Sequence, residues 1–212
     1  MHGLFLKDKF NNSIKETHDY KIRIIGSNIS LERFYAVSDP TLIVEDLIKI
    51  SNPKMSEKII FVWPEGIIPD IYQHELNQFN WLFKKYLSEN HLLIIGITKK
   101  IVNNNSTNYY NSLSVYDNEL KLLDSYNKIK LVPFGEFLPL ENLLKSFGLR
   151  SLTNNYQSFS NGVQREIIKI DKNKYDLKFL PLICYEIIYS GMLFDNLDFD
   201  YIINLSEDGW FG

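Results

Sequence analysis

The sequence predicts an α/β sandwich with mixed sheets. Two observations carry that reading. Apolar runs of strand length alternate with amphipathic helical segments through the first half, and the second half continues as strands separated by turn residues. A third bounds it: 212 residues with neither an internal repeat nor a linker-like stretch suffice for one sizeable core, so a single domain is expected.

The elements follow in order. Residues 1–20 are polar and uneven and read as a lead-in, so the domain is set at residues 21–212. Residues 21–26 alternate as a strand. Asp39-Pro40 followed by Leu42, Ile43, Leu47 and Ile50 predicts a capped amphipathic helix. Ile59 to Val62 is a short buried strand, and Leu76, Phe79, Trp81, Leu82, Phe83, Tyr86 and Leu87 mark the apolar face of a second helix. Residues 91–97 form another buried strand, closed by Gly96 and the lysine pair after it. Two further strands, at residues 99–102 and 109–116, flank an Asn-rich turn, and Asp117-Asn118-Glu119 makes a second turn. Residues 133–139 are loop-like, 141–147 suit a short helix, and 154–162 are irregular. Residues 165–170 and 176–184 pair as a hairpin, 187–194 suggest a helix, and 201–205 a last strand.

Composition excludes several function classes. A formal net charge of −3 without a basic stripe argues against a nucleic-acid partner. One cysteine excludes an internal disulfide framework, and four scattered histidines with no second cysteine argue against a Cys/His metal site. No cofactor is implied. No apolar run reaches the ~18–20 residues that cross a bilayer, and the start lacks the order of a signal peptide. Taken alone, the chain is expected to stay in the cytoplasm.

The chemistry lies at three strand mouths. Cys184 stands where Leu180-Pro181-Leu182-Ile183 breaks into a polar turn, Glu65 ends Ile59-Ile60-Phe61-Val62-Trp63-Pro64, and Lys128 opens the run to Pro133-Phe134-Gly135-Glu136. Singly, each has a plainer reading: a small core residue, a cap and a solvated lysine. Together they answer one another's needs. A thiol of ordinary pKa is only a few per cent thiolate at neutral pH, so a carboxylate that accepts its proton and an ammonium that faces an oxyanion complete an acyl-transfer set.

The flanking motifs carry a resemblance. Trp63-Pro64-Glu65, Tyr126-Asn127-Lys128 and Leu182-Ile183-Cys184-Tyr185-Glu186 resemble the Glu-Lys-Cys signatures of the nitrilase, or carbon–nitrogen hydrolase, superfamily in order and spacing. Leu131-Val132-Pro133-Phe134-Gly135-Glu136-Phe137-Leu138-Pro139 and Asn204-Leu205-Ser206-Glu207-Asp208-Gly209-Trp210-Phe211-Gly212 are similar to segments of the apolipoprotein N-acyltransferases within it.

The resemblance implies an αββα sandwich and a ping-pong reaction. Cys184 would take a fatty acyl chain from a phospholipid as a thioester and pass it to the α-amino group of the lipid-modified N-terminal cysteine of an apolipoprotein. Glu65 is then the implied general base, Lys128 the oxyanion stabiliser and Glu136 a second carboxylate. Tyr185, Glu186 and Trp210 are the implied supporting or substrate-binding residues. A solvated loop glutamate and a packing aromatic stay open as plainer readings of Glu136 and Tyr185. Superfamily members often pair through sheet edges and helices, so the resemblance allows a homodimer.

This chain departs from the family in four ways. The inner-membrane helices that precede the periplasm-facing domain are absent, and so are the elements that follow Trp210-Phe211-Gly212, which reads as a C-terminally incomplete fragment. Glu207 replaces a usual Asn, where an acid is expected to leave a backbone contact unmade. Lys130 replaces a commoner His, and Tyr35 stands near a Trp of some members. Two other readings remain: a soluble amidase or carbamoylase of the superfamily, and an inactive remnant of the acyltransferase. The segment from Val132 to Pro139 separates the first of these, since soluble members have a shorter segment there.

Overall fold

The computed structural model describes residues 18–26, 39–103, 106–139, 158–172, 175–189 and 198–207. Its strands form two sheets. In the first, β1 (Lys21–Ile24), β2 (Ile59–Trp63), β3 (His91–Asn103), β4 (Ser106–Asp117) and β5 (Leu122–Asn127) lie side by side in chain order. β1, β2 and β3 are parallel, and β4 and β5 add antiparallel. In the second, β6 (Ile168–Lys172) and β7 (Tyr175–Ile183) form a hairpin, and β8 (Tyr201–Leu205) pairs parallel to β7.

Alternation along each strand builds the layers. In β2, Phe61 and Trp63 face a core shared with the helices, while Ile60 and Val62 face the second sheet. In β7, Leu177, Phe179 and Ile183 meet that inter-sheet core, and Leu180 and Leu182 are buried on the opposite face, packed with Ile167 and Phe199. The sheets therefore stack face to face, with α1 (Pro40–Ser51) and α2 (Asn80–Tyr86) covering the first.

Local chemistry sets these elements. Asp39 caps α1, accepting a hydrogen bond from the Thr41 amide, with Pro40 at the first helical position. Asn52 ends the helix in the left-handed conformation. Val44, Leu47 and Ile48 are buried beneath it, each contributing about 1.5–3 kcal/mol relative to exposure. The buried Trp63 indole donates to Ser51 Oγ at 2.9 Å, tying β2 to the end of α1.

The structure corrects several expectations. Residues 91–97 and 99–102 are one strand, β3, of 13 residues, and Gly96 does not end it. A Cβ on Gly96 would lie 2.4 Å from the Glu65 Cα and 2.8 Å from the Pro64 carbonyl oxygen. The glycine thus admits the chain leaving β2 rather than stopping β3. The second expected helix is a 3₁₀ segment, Gln73–Phe79, followed by the short α2, and Trp81 is 59% exposed rather than on the apolar face. The first hairpin strand begins at Ile168, not at residue 165, and β5 is a strand the sequence reading omitted. After Cys184 the chain forms a 3₁₀ turn, Cys184–Ile188. The helix expected at residues 187–194 falls largely outside the described residues, as does that at 141–147.

Gly96→Ala is expected to lower the melting temperature by roughly 3–10 °C, because the obstructing atoms are backbone and the typical cost of forced overpacking is about 1–3 kcal/mol. Differential scanning calorimetry checks this, and an unchanged melting temperature contradicts the close approach.

Candidate functional site

Strand direction gathers the polar groups. Two antiparallel pairings separate β5 from β3, so β5 runs the same way as β2, and their carboxyl ends emerge on one edge. Glu65 follows β2, Lys128 follows β5, and Asn111 lies on β4 between them. Cys184 follows β7 of the facing sheet. Glu65, Asn111, Lys128, Glu136, Cys184, Tyr185 and Glu207 line one cavity of about 320 Å³.

Lys128 is the hub. Its side chain is 1% exposed, and Nζ lies 2.9 Å from Glu136 Oε2 and 3.5 Å from Glu65 Oε1. Asn111 Nδ2 donates to both carboxylates, at 2.6 Å to Glu65 Oε1 and 2.7 Å to Glu136 Oε1. The Val132 amide donates to Glu136 Oε2 at 2.9 Å, and the Lys128 amide donates to the Asn111 carbonyl at 2.8 Å. A Cβ on Gly162 would clash with the Asn127 carbonyl oxygen, and the Gly162 amide donates to the Lys128 carbonyl at 2.8 Å, so Gly162 lies hard against the strand end that presents Lys128.

These contacts set the protonation states. Burial would push the Lys128 ammonium down, but the two carboxylates outweigh it and hold its pKa above the ordinary lysine value. Burial pushes Glu65 up, against the opposing pull of Lys128 and the Asn111 amide. The Cys184 thiol is also pushed up, first by burial and then by the Glu65 charge, with Lys128 and a Ser206 hydrogen bond opposing. Both shifts run the same way: the site favours the protonated form of the thiol and raises the basicity of the carboxylate.

Cys184 has φ of 53°, a left-handed conformation that costs an ordinary side chain roughly 1–2 kcal/mol. The bend turns the chain sharply from β7 into the 3₁₀ turn at the cavity wall. Glu186 holds that turn. It is 0% exposed, and its Oε2 accepts from the Ile183 amide. Its Oε1 accepts from Tyr126 Oη, the Ile129 and Lys130 amides and Arg165, at 2.7–3.1 Å. One carboxylate therefore joins the turn after Cys184 to the loop after Lys128.

Of the residues singled out in the sequence, Glu65, Lys128, Cys184, Glu136 and Tyr185 share the cavity wall. Glu186 lies behind it, and Trp210 is outside the described residues. Glu207 is 6% exposed and lines the cavity. Sequence reasoning missed Asn111 and Arg165. Asn111 sits in an ordinary polar alternation, Tyr110-Asn111-Ser112, and only the fold sets it opposite two carboxylates. Arg165 looked like the start of a strand.

The two-sheet fold and this cavity define a class: the chain belongs to the carbon-nitrogen hydrolase family, whose profile matches residues 50–212. Its curated relatives narrow the comparison. It is 35% identical over 182 residues to an apolipoprotein N-acyltransferase from Rhizobium leguminosarum bv. trifolii (strain WSM2304), covering 82% of this chain and 33% of the relative. It is 27% identical over 206 residues to the protein of that name from Brucella suis biovar 1 (strain 1330), covering 94% and 38%. The chain thus spans about a third of the length of the curated relatives it matches. Among solved structures, a double mutant of the amidase from Nesterenkonia sp. AN1, in complex with acrylamide, superposes with a TM-score of 0.53. At 9% identity, over 92% of this chain and 68% of that one, the likeness is one of fold.

Glu186→Gln leaves Arg165 without its anionic partner in a buried place. It is expected to cost about 3 kcal/mol of stability. Urea unfolding measures it, and a loss below about 1 kcal/mol would remove Glu186 as the joint between the two loops.

Proposed function

We propose that the chain is the catalytic portion of an apolipoprotein N-acyltransferase. It moves a fatty acyl chain from phospholipid, through a thioester on Cys184, to the α-amino group of a lipid-modified N-terminal cysteine. The observation that carries this reading is the buried Lys128 ammonium held between Glu65 and Glu136 on the wall of the cavity that Cys184 lines. The substrate class is supported by the names of the relatives.

The steps use this chain's own groups. The thiol is mostly protonated, so attack on the ester carbonyl needs a base, and Glu65 takes the proton as the carbon–sulfur bond forms. Lys128 faces the oxyanion that develops, and Glu136 and Asn111 hold Lys128 and Glu65 in register for it. The carbon–oxygen bond breaks, and the departing alcohol takes the proton from Glu65. The acceptor amine then attacks the thioester carbonyl and gives a proton to Glu65. The carbon–sulfur bond breaks and the proton returns to sulfur. Tyr185 and the 72% exposed Phe134, on the loop that carries Glu136, supply apolar surface suited to an acyl chain. Trp210 belongs to the same proposal as a supporting residue. Among the described residues no helix is long and apolar enough to cross a membrane.

Intact-mass spectrometry after incubation with phospholipid in detergent tests the first half-reaction. A gain of one acyl chain, labile to hydroxylamine and absent in Cys184→Ser, is expected; no gain on a folded sample overturns the reading. Burial raises Glu65, so its deprotonated form, and with it the acylation rate, increases with pH through a midpoint above the ordinary carboxylate range. Glu65→Gln is expected to remove that limb and slow acylation by about 10²–10⁴. An unaltered pH profile would show that another group is the base.

A further inference from the structure

The paired strands β3 and β4 run on past the cavity, and their far end carries a cation. Thr98 and Asn111 are cross-strand partners, and both line the cavity. Lys100 and Tyr109 pair two positions further along, so strand alternation sets them on the same face, roughly 7 Å beyond Thr98. The Lys100 ammonium lies over two rings, 5.0 Å from the centroid of Tyr72 and 5.8 Å from that of Tyr109. The two ring centroids are 5.8 Å apart, and His74 stacks on Tyr72. Both tyrosines are tied to the cavity wall through their backbones. Tyr72 forms a β-bridge with Thr98, beside β3 on the side that β2 occupies earlier in the strand. The Tyr109 carbonyl accepts from the Ser160 amide at 2.7 Å. The residue before it, Phe159, lines the cavity and donates its amide to the Glu136 carbonyl at 2.7 Å. An aromatic face attracts an ammonium without neutralising it, so Lys100 is held in place with its charge still open to an anion. Among the described residues, no carboxylate ion-pairs with it.

We propose that Lys100, bedded on Tyr72 and Tyr109, binds the phosphate of the acyl donor at the cavity rim while the donor's ester lies beside Cys184. The role in acyl transfer rests on the reading above; the phosphate site does not. In a glycerophospholipid one glycerol joins the phosphate to the ester groups. A phosphate on Lys100 therefore leaves an ester within a glycerol's reach, which matches the short offset between Lys100 and the cavity-lining Thr98. A lysine ammonium is a point charge that takes a phosphate oxygen without demanding one fixed orientation, which suits headgroups of different size. The two lysines then divide the work. Lys128 is locked between Glu65 and Glu136 and faces the charge that develops during reaction. Lys100 stands outside that cluster and holds a charge the donor carries throughout, so its contribution falls on donor binding rather than on the chemical step.

Binding is measured on the full chain carrying Cys184→Ala, which lacks the nucleophile, by NMR titration. The probes are dihexanoylphosphatidylglycerol below its micelle concentration, dihexanoylglycerol and inorganic phosphate. The phospholipid is expected to bind about fivefold more tightly than the phosphate-free lipid, the scale of one favourable charge contact near a protein surface. Inorganic phosphate should perturb the same residues but bind more weakly, having no chains to enter the cavity. Added salt should narrow the gap between the two lipids. Lys100→Gln, checked for an unchanged melting temperature, should bring them within about twofold of each other, and Lys100→Arg should keep the preference. With Cys184 present, Lys100→Gln should raise KM for the phospholipid about fivefold and leave kcat nearly unchanged. Equal binding of the two lipids, or a preference that survives Lys100→Gln, overturns the proposal. Inorganic phosphate binding as tightly as the phospholipid would assign the site to the free anion and overturn it too. A chain that prefers the phospholipid through Lys100 but never acylates Cys184 would sink the acyl-transfer reading and leave the phosphate site standing. A chain that acylates equally well from dihexanoylglycerol does the reverse.

Discussion

A lysine ammonium sealed between two carboxylates is the constraint from which the remaining geometry follows. Removing an ammonium from water is costly, and Lys128 is tolerated at 1% exposure because Glu65, Glu136 and the Asn111 amide surround it with charge and hydrogen bonds. Each partner comes from a different piece of chain: the end of β2, the loop after Lys128 itself, and β4. Keeping them in contact fixes the spacing of the strand ends, and that spacing brings the Gly96 backbone against Glu65.

A second buried carboxylate couples this cluster to the nucleophile. Glu186 accepts hydrogen bonds from the amides just after Lys128 and from the amide just before Cys184. It therefore sets where the first sheet's cation stands relative to the second sheet's thiol. The unfavourable φ of Cys184 is held by the same contacts, so strain at the thiol and burial of Glu186 form one device. Stability and reactivity are consequently hard to separate by mutation near this turn.

Much of the architecture was readable in the sequence because it follows from short-range rules. The cap at Asp39, the apolar runs of β2 and β7 and the turn at Asp117-Asn118-Glu119 are local signals. Glu65 and Cys184 stood out because each ends an apolar run, and Lys128 because it opens one, where a side chain meets a cavity rather than the core. What escaped the sequence depends on distance across the fold. Asn111 is one polar residue among several on β4, and its importance lies in what stands opposite it. Gly96 was read as a breaker, although its role is steric, admitting Glu65 across the sheet. Trp81 fits a helical apolar pattern, but that pattern assumed one continuous helix where a 3₁₀ segment changes the angular spacing.

The central claim is that the Lys128 charge cluster both holds this edge of the fold and makes it chemically competent. Chemical unfolding of Lys128→Met, alone and combined with Glu65→Gln and Glu136→Gln, tests it most directly. The single variant should lose about 3–5 kcal/mol, since two buried carboxylates lose their cation. The triple variant should regain most of that stability while forming no thioester on Cys184. A single variant that loses less than about 1 kcal/mol, or a triple variant no more stable than the single one, would contradict the account.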